Sequence, residues 1–438
     1  MRARGSATMP HMRHSLIPAA LLLIAAAPAP VPTATDRQFD RIWQDEWAWR
    51  QHEGIAERAP GTVQAHIAND SAATHARRLA YWQGVLAKLD AIDTARLSPD
   101  TLTDWQVYRQ QIASQIDDET FREWEKPVNG DSAFWSDLTS AAQGDFANGE
   151  RDYRAYLSWL GDIPRFFAQE TDNMKAGLAR GFTPPAIVMQ GREKGVADIA
   201  TASDITKVPY YRPFTRLPAT MPQATQDELR AAARKVIAEQ VIPAHRALLA
   251  FLRDSYFPGL TKQLGADKYP GGAAYYQSRI RVYTTTNMTP DEIHRLGLSE
   301  VAKIRAEMEQ VKADAGFSGD LPQFLKFLRT DPQFHPSTAD QLMKEAAWHA
   351  KRFDGMAAKW FGRLPRQRFA IREVPPAIAP YYTAGRGGPG VYLVNTYDLP
   401  SRSLIQLPAL TLHESAPGHA FQMPLAAENK ELKPFRRN

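Results

Sequence analysis

The chain has 438 residues, of which 44% are apolar and 23% are charged, the composition of an ordinary globular protein. Cysteine is absent, which excludes disulfides, thiolate metal sites and a cysteine nucleophile, so any metal must be bound by histidine and carboxylate side chains. The formal net charge of +5 falls to +2 without residues 1–35, which hold three arginines and no acid, and so small a charge excludes nucleic acid as an expected partner.

Residues 1–35 have the pattern of a signal peptide. Arg2, Arg4 and Arg13 precede a short apolar run from Leu16 to Ala27, and small residues follow. The run is shorter than the roughly 20 apolar residues that cross a membrane as a helix. We therefore predict a periplasmic or secreted protein with no stable membrane insertion after signal cleavage.

The remainder of the chain is predicted to be mostly helical. Residues 36–58 and 72–92 carry apolar side chains at spacings of three and four, and Ser98-Pro99-Asp100 is typical of a helix start. Thr225-Gln226-Asp227-Glu228 and Thr289-Pro290-Asp291-Glu292 each match the capping box that opens a helix.

Proline and apolar spacing refine two later helices. Pro243 should kink the helix that follows the first capping box. Residues 336–361 predict one further long helix.

The pattern changes near residue 366. Residues 368–374 and 391–395 predict two strands, separated by a Gly-rich loop at 381–388. Pro408 then suits the first turn of a short helix. The predicted fold class is therefore mainly α, with a small β-sheet or hairpin next to this last helix.

That helix carries His413-Glu414-Ser415-Ala416-Pro417-Gly418-His419. Zinc peptidases commonly place two histidines four residues apart on one helical face, with a glutamate after the first. Here the second histidine is six residues on, and on an unbroken helix its ring would point about 120° away. Pro417 disturbs the preceding turn and Gly418 can adopt positive φ, so we predict a break that brings His419 back towards His413.

The residue types indicate metal chemistry. His413 and His419 would bind Zn²⁺ through ring nitrogens, and Glu414 would accept a proton from the activated water. The alternative is that a His-Glu pair occurs here by chance and that His419 is an ordinary surface or helix-cap histidine.

The segment from Leu407 to Gln422 closely resembles the signature of a bacterial family catalogued as domain of unknown function 885, which is grouped with zincin-type metallopeptidases. The pattern is His-Glu-x-x-Pro-Gly-His-x-x-Gln after Leu-Pro-Ala-Leu. Similar stretches lie upstream at residues 389–395 and 283–294.

The resemblance implies a large helical zincin-like fold, a zinc cofactor held by His413 and His419, the catalytic base Glu414, and peptides as substrates. It divides the chain into the signal peptide 1–35, an N-terminal helical region 36–265 and a catalytic region 266–438. The oligomeric state stays open.

By the same analogy, residues 391–395 would form a sheet edge that pairs with substrate. The expected substrate-binding residues are Tyr392, Val394 and Asn395, with Tyr382 lining a channel. The alternatives are a plain buried hairpin for the strand and a packing role for the tyrosine.

One departure concerns the third metal ligand. In this family it is a glutamate in a Glu-Gly-Trp-like segment beyond the Pro-Gly-His motif, and no such segment precedes Asn438. We therefore expect a C-terminally truncated member, with Glu428 or Glu431 as poor substitutes. The alternatives to a zinc peptidase are an inactive homologue that retains only peptide binding, or a metal-dependent amidase or esterase.

Overall fold

The computed structural model describes residues 32–56, 62–130, 132–141, 146–376 and 379–437. The predicted signal peptide falls almost entirely on residues 1–31, which lie outside the described part. Within the described residues no helix combines the length and apolar character needed to span a membrane.

Three N-terminal helices form the first core, and local signals set their ends. Thr33, Ser71 and Ser98 each cap a helix start through the side-chain oxygen, and a left-handed Gly54 ends the first helix. Their inner faces bury large side chains that include Phe39, Trp82 and Tyr108. The helices predicted here are confirmed, with these bounds: α1 Ala34–Glu53, α2 Ala72–Asp90 and α3 Pro99–Phe121.

Six further helices surround a second and larger core, rich in aromatic side chains. Their bounds are α4 Phe134–Ala141, α5 Glu150–Gly161, α6 Ile163–Arg180, α7 Lys194–Ala200, α8 Gln223–Val236 and α9 Ile242–Phe251.

Two sequence predictions fall in this core. The capping box predicted at residues 225–228 is wrong: α8 already begins after Pro222, and Glu228 instead pairs with Arg154 at 3.0 Å. A π-helical turn, Ile237–Val241, lies just before Pro243, as expected where a proline interrupts the regular hydrogen-bond ladder.

The C-terminal region contains eight helices and a small sheet among the described residues. The helices are α10 Gly272–Thr284, α11 Pro290–Asp314, α12 Leu321–Thr330, α13 Ala339–Asp354, α14 Ala357–Trp360, α15 Leu407–Glu414, α16 His419–Glu428 and α17 Pro434–Arg437. The capping box of α11 is confirmed, since the Glu292 carboxylate accepts from the amide of Thr289 at 2.8 Å. The single helix predicted for residues 336–361 is interrupted after Asp354.

The sheet has three strands in the order β1-β3-β2. They are β1 Ala370–Glu373, β2 Gly385–Gly388 and β3 Val391–Val394, with β1 parallel and β2 antiparallel to β3. Part of the predicted Gly-rich loop is therefore a strand. The prediction that residues 391–395 form a sheet edge is wrong, because β3 is the central strand and is paired on both sides.

One face of this sheet supports the candidate site. Tyr392 and Val394 of β3 are buried against Leu342 and Ala346 of α13 and against Leu407 of α15. This packing holds the start of α15 on the sheet, so that the last turn of α15 ends beside β2.

The end of the described chain returns to the first core. Phe435 of α17 packs among Phe39, Trp43 and Tyr108, and its carbonyl oxygen accepts from Gln111 at 2.9 Å. Phe435 therefore ties the end of the C-terminal region to the core of the N-terminal helices.

Candidate metal centre

The site is built at the junction of α15 and α16. Leu407 and Thr411 are the buried residues of α15, and Pro408 lies in its first turn as predicted. With those two side chains fixed in the core, His413 emerges from the last turn with 68% of its side chain exposed.

The helix is broken between the two histidines. The helix ends at Glu414, Ser415 leaves helical geometry, and a new helix begins at His419. The amide of Gly418 donates to the carbonyl oxygen of Leu412 at 3.0 Å, which closes the turn. The rings of His413 and His419 consequently lie with their centroids 4.9 Å apart and nearly perpendicular. The predicted convergence of the two imidazoles is confirmed.

The reason for glycine in this turn differs from the one predicted. Gly418 has φ −74, so positive φ is not what selects it. A β-carbon at this position would lie 1.7 Å from the carbonyl oxygen of His413 and 2.7 Å from that of Leu412. The close approach of two backbone segments, rather than a positive φ, requires a residue without a side chain.

Glu414 is oriented by an edge strand. One of its carboxylate oxygens, Oε2, accepts from the amide of Gly387 in β2 at 2.7 Å, while Oε1 lies 4.0 Å from Nε2 of His413. Only 12% of the glutamate side chain is exposed. The carboxylate is therefore held at the side of the histidine pair, with one oxygen occupied by a backbone hydrogen bond.

Strand pairing explains why this amide is available. The carbonyl oxygen of Ala384 accepts from the amide of Asn395, so residues 384, 386 and 388 face β3 in the antiparallel ladder. The amide of Gly387 therefore points away from β3. A β-carbon at Gly387 would lie 1.7 Å from the carbonyl oxygen of Glu414, so the strand and the helix end are in direct backbone contact.

Sequence reasoning missed Gly387 as a site residue. The available signal was the run Gly385-Arg386-Gly387-Gly388, in which repeated glycine marks close backbone approach.

The three side chains together suit a divalent metal ion. One ligand atom each from His413, Glu414 and His419 lies within 4.8 Å of the others, close enough to surround a single ion. In a tetrahedral zinc site with metal–nitrogen distances of about 2.1 Å, ligand atoms lie about 3.4 Å apart. Rotation of the two exposed imidazoles can close the difference, so the two histidines fit two ligand positions of a zinc site with the Glu414 carboxylate beside them.

The residues expected to bind substrate along β3 are buried. Tyr392, Val394 and Asn395 have no more than 1% of their surface exposed. The Asn395 amide donates to the carbonyl oxygens of Ala379, Tyr382 and Thr383 and thereby ties down the loop before β2. These side chains are not available to a substrate. Tyr382 is half-buried, and its carbonyl takes part in this loop anchor.

Neither carboxylate beyond His419 joins the histidine pair. Glu428 accepts from the amides of Arg366 and Gln367, and these hydrogen bonds hold the pKa of its carboxyl below the usual range. Glu431 lies in an exposed turn after α16. The expectation that either could substitute as a ligand has no support in this geometry.

Fold and site together define a mainly helical protein with a solvent-open group of two histidines and one glutamate at the break between two consecutive helices. The chain belongs to the family described as "Bacterial protein of unknown function (DUF885)", whose pattern matches residues 51–438. None of the curated proteins matches it.

Two solved structures share the fold. One is a protein of Colwellia psychrerythraea described as a candidate lipoprotein, with a TM-score of 0.75 and 18% identity over 92% of this chain and 74% of that one. The other is a candidate lipoprotein of unknown function from Shewanella oneidensis, with a TM-score of 0.58 and 15% identity over the same shares. At these identities the likeness concerns the fold alone.

Proposed function

We propose that the protein is a zinc-dependent peptidase of zincin-like type that cleaves small peptides outside the cytoplasm. The observation that carries the proposal is the convergence of His413, Glu414 and His419, which the turn between α15 and α16 brings together and an unbroken helix would keep apart.

The protein's own groups have distinct roles in this proposal. His413 and His419 hold the ion through neutral ring nitrogens. Zinc, when bound, acts as a Lewis acid on the scissile carbonyl and acidifies water at the site. Glu414 accepts the proton through Oε1, since Oε2 is occupied by the Gly387 amide, and later returns the proton to the leaving amine.

The edge strand β2 replaces β3 as the proposed docking strand for substrate. β2 lies at one side of the sheet and contacts Glu414 directly, whereas β3 is paired on both sides. Because Glu414 already accepts from the outward-pointing amide of Gly387, a peptide would pair with the outward-pointing groups of β2 that Glu414 leaves free. An extended peptide that pairs with an edge strand gains main-chain hydrogen bonds with little dependence on its side chains. This arrangement favours broad specificity among short peptides.

A zinc-binding but catalytically inactive homologue is the second candidate. It is favoured by the 68% exposure of His413 and by the absence, within the described ranges, of a further carboxylate or histidine in the group. A hydrolytic centre works best where bulk solvent is excluded. It also needs a base that is free of the metal.

The location outside the cytoplasm rests on two observations. Residues 1–35 have the pattern of a signal peptide, and the two structural relatives are described as candidate lipoproteins. Cell fractionation with an antibody to this chain tests the proposal, and recovery in the cytoplasmic fraction alone would contradict it.

The decisive experiment measures zinc content and peptide cleavage on the same preparation. We expect about one zinc per chain by elemental analysis, lost in His413→Ala and His419→Ala and kept in His52→Ala, which removes an exposed histidine of α1. Cleavage of a mixed peptide library then supports the peptidase. Zinc without any cleavage supports the inactive homologue, and activity on amides or esters alone points to a different hydrolase.

A further inference from the structure

Helix α11 is the most exposed long element in the described part of the protein. None of its 25 residues is buried. Five large aliphatic side chains on it are 50–64% exposed: Leu296, Leu298, Val301, Ile304 and Val311. Single exposed apolar residues are ordinary, but Val301, Ile304 and Val311 lie on one face of the helix, and an apolar stripe of this kind marks an interaction surface.

The stripe follows a seven-residue repeat. Val301, Ile304, Met308 and Val311 alternate at spacings of three, four and three, which are the a and d positions of a two-stranded coiled coil. This face is the one that a second helix would cover.

The charges beside the stripe specify the partner. With Val301 at position a, Glu300 and Glu307 fall at g, and Arg305 and Lys312 fall at e. In a parallel pair each g residue meets the e residue five positions further on in the other helix, so Glu300 would face Arg305 and Glu307 would face Lys312. An antiparallel pair of the same helix would oppose glutamate to glutamate and cation to cation.

We propose that α11 is a homodimerisation helix, which pairs in parallel with α11 of a second copy of this chain. The self-complementary charge pattern is the reason for choosing a second copy over an unrelated helical partner. The preceding a and d positions are His294 and Gly297, so the apolar seam is limited to the two heptads from Val301 to Val311. This inference is independent of the proposed peptidase activity.

The charged residues beside the stripe differ in whether they already form an ion pair within their own helix. Lys312 already pairs with Glu309 of its own helix at 2.7 Å and is only 18% exposed, while Glu300 pairs loosely with Lys303 at 3.6 Å. Arg305 has no ion pair within the part of the chain that the structure describes. The pair formed by Glu300 and Arg305 is therefore the one to test.

The first test compares two substitutions on equally exposed sites. Ile304 and Leu296 are both 50% exposed, but only Ile304 lies at a d position, whereas Leu296 lies at c on the outer side. Sedimentation equilibrium from about 1 to about 200 µM protein should show a concentration-dependent dimer for the unaltered chain. We expect Ile304→Lys to weaken association by about tenfold or more and Leu296→Lys to leave it unchanged. Circular dichroism checks that both variants keep their helix content.

The second test uses charge exchange. Glu300→Arg and Arg305→Glu should each weaken self-association, because each places like charges across the interface, and an equimolar mixture of the two should restore a dimer. A monomer over the whole concentration range overturns the proposal. A dimer that ignores both the Ile304 substitution and the charge exchange overturns it equally, because that dimer would use another surface.

Discussion

A β-carbon at Gly418 would lie 1.7 Å from the carbonyl oxygen of His413. The backbone at the start of α16 thus rests directly on the backbone at the end of α15, and this contact is what brings the two imidazoles together. Gly418→Ala must push the two helix ends apart. We expect it to lower zinc affinity by about tenfold to hundredfold, in the range found for groups that orient metal ligands.

Gly388→Ala is the matched control for this substitution. Gly388 lies in the neighbouring strand β2, and a β-carbon there would have no neighbour within 4 Å. Calorimetric titration with zinc should give unchanged affinity for this control. Equal zinc affinities for the Gly418 variant and the unaltered chain would show that the close contact does not position the ligands.

Glu414→Gln tests the proposed base. Glutamine can still accept from the Gly387 amide through its carbonyl oxygen, so the side chain keeps its place while losing the ability to take a proton. We expect the rate of peptide cleavage to fall by about a hundredfold or more with zinc retained.

The control is Glu428→Gln, which alters a carboxylate held by the amides of Arg366 and Gln367, away from the histidine pair. It should leave the cleavage rate within about twofold, while a small loss of stability from weaker hydrogen bonds is expected. If the Glu414 variant lost zinc as well as activity, the glutamate would be a ligand rather than the base.

Asn395→Ala tests whether this buried residue serves structure or substrate. Its amide donates to three carbonyl oxygens and its own oxygen accepts from the amide of Tyr397. Removing it leaves buried polar groups without partners, and we expect a loss of about 2–3 kcal/mol in the free energy of unfolding. Denaturant titration measures this loss.

Thr396→Ala provides the comparison one residue along, because the Thr396 hydroxyl donates to Glu373 at an exposed site. Its effect should be within about 0.5 kcal/mol. If the Asn395 variant were stable and its KM for peptides were raised, the result would support the substrate-binding role predicted from the sequence.

Stability should depend on pH through His245. Burial lowers the pKa of His245 to about 4, and the ring stays neutral, with Nδ1 donating to the carbonyl oxygen of Val241. Below pH 6.5, the approximate pKa of a histidine in the unfolded chain, the His245 ring is protonated in the unfolded state but stays neutral in the folded state until the pH approaches 4. Stability from this group is therefore complete above about pH 6.5 and declines as the pH falls towards 4.

Unfolding titrations at pH 5.0 and 7.5 quantify this effect. We expect the stability of the unaltered protein to fall by about 2 kcal/mol more between these pH values than that of His245→Gln, which cannot titrate. Identical pH dependence in the two proteins would mean that the buried ring accepts its proton without cost.

Much of the helical framework was predictable because its signals are local. Thr33, Ser71, Ser98 and Thr289 satisfy free amides at the first turn of their own helices, and this interaction needs no tertiary partner. The same local logic failed at Thr225, since a capping pattern cannot show that Pro222 starts the helix earlier.

The sheet was less predictable because strand order is a property of the whole fold. β2 has the sequence Gly-Arg-Gly-Gly, which has little intrinsic preference for a strand, and it is a strand only because β3 pairs with it. β1 pairs with the other side of β3 after a crossover, and this pairing turned the predicted edge strand into the central one.

The sequence by itself determined the polar side chains of the site, two imidazoles and a carboxylate, and the helix break between the two histidines. Both follow from residue types and from the Pro-Gly pair, whose effects extend over only a few positions. Only the tertiary structure decided that the glycine is needed for a backbone contact, that Gly387 orients the carboxylate, and that β2 lies beside it. These outcomes depend on segments up to 27 residues apart in the chain meeting at van der Waals distance. Such contacts depend on how the helices and the sheet pack together, and local sequence patterns do not predict this packing.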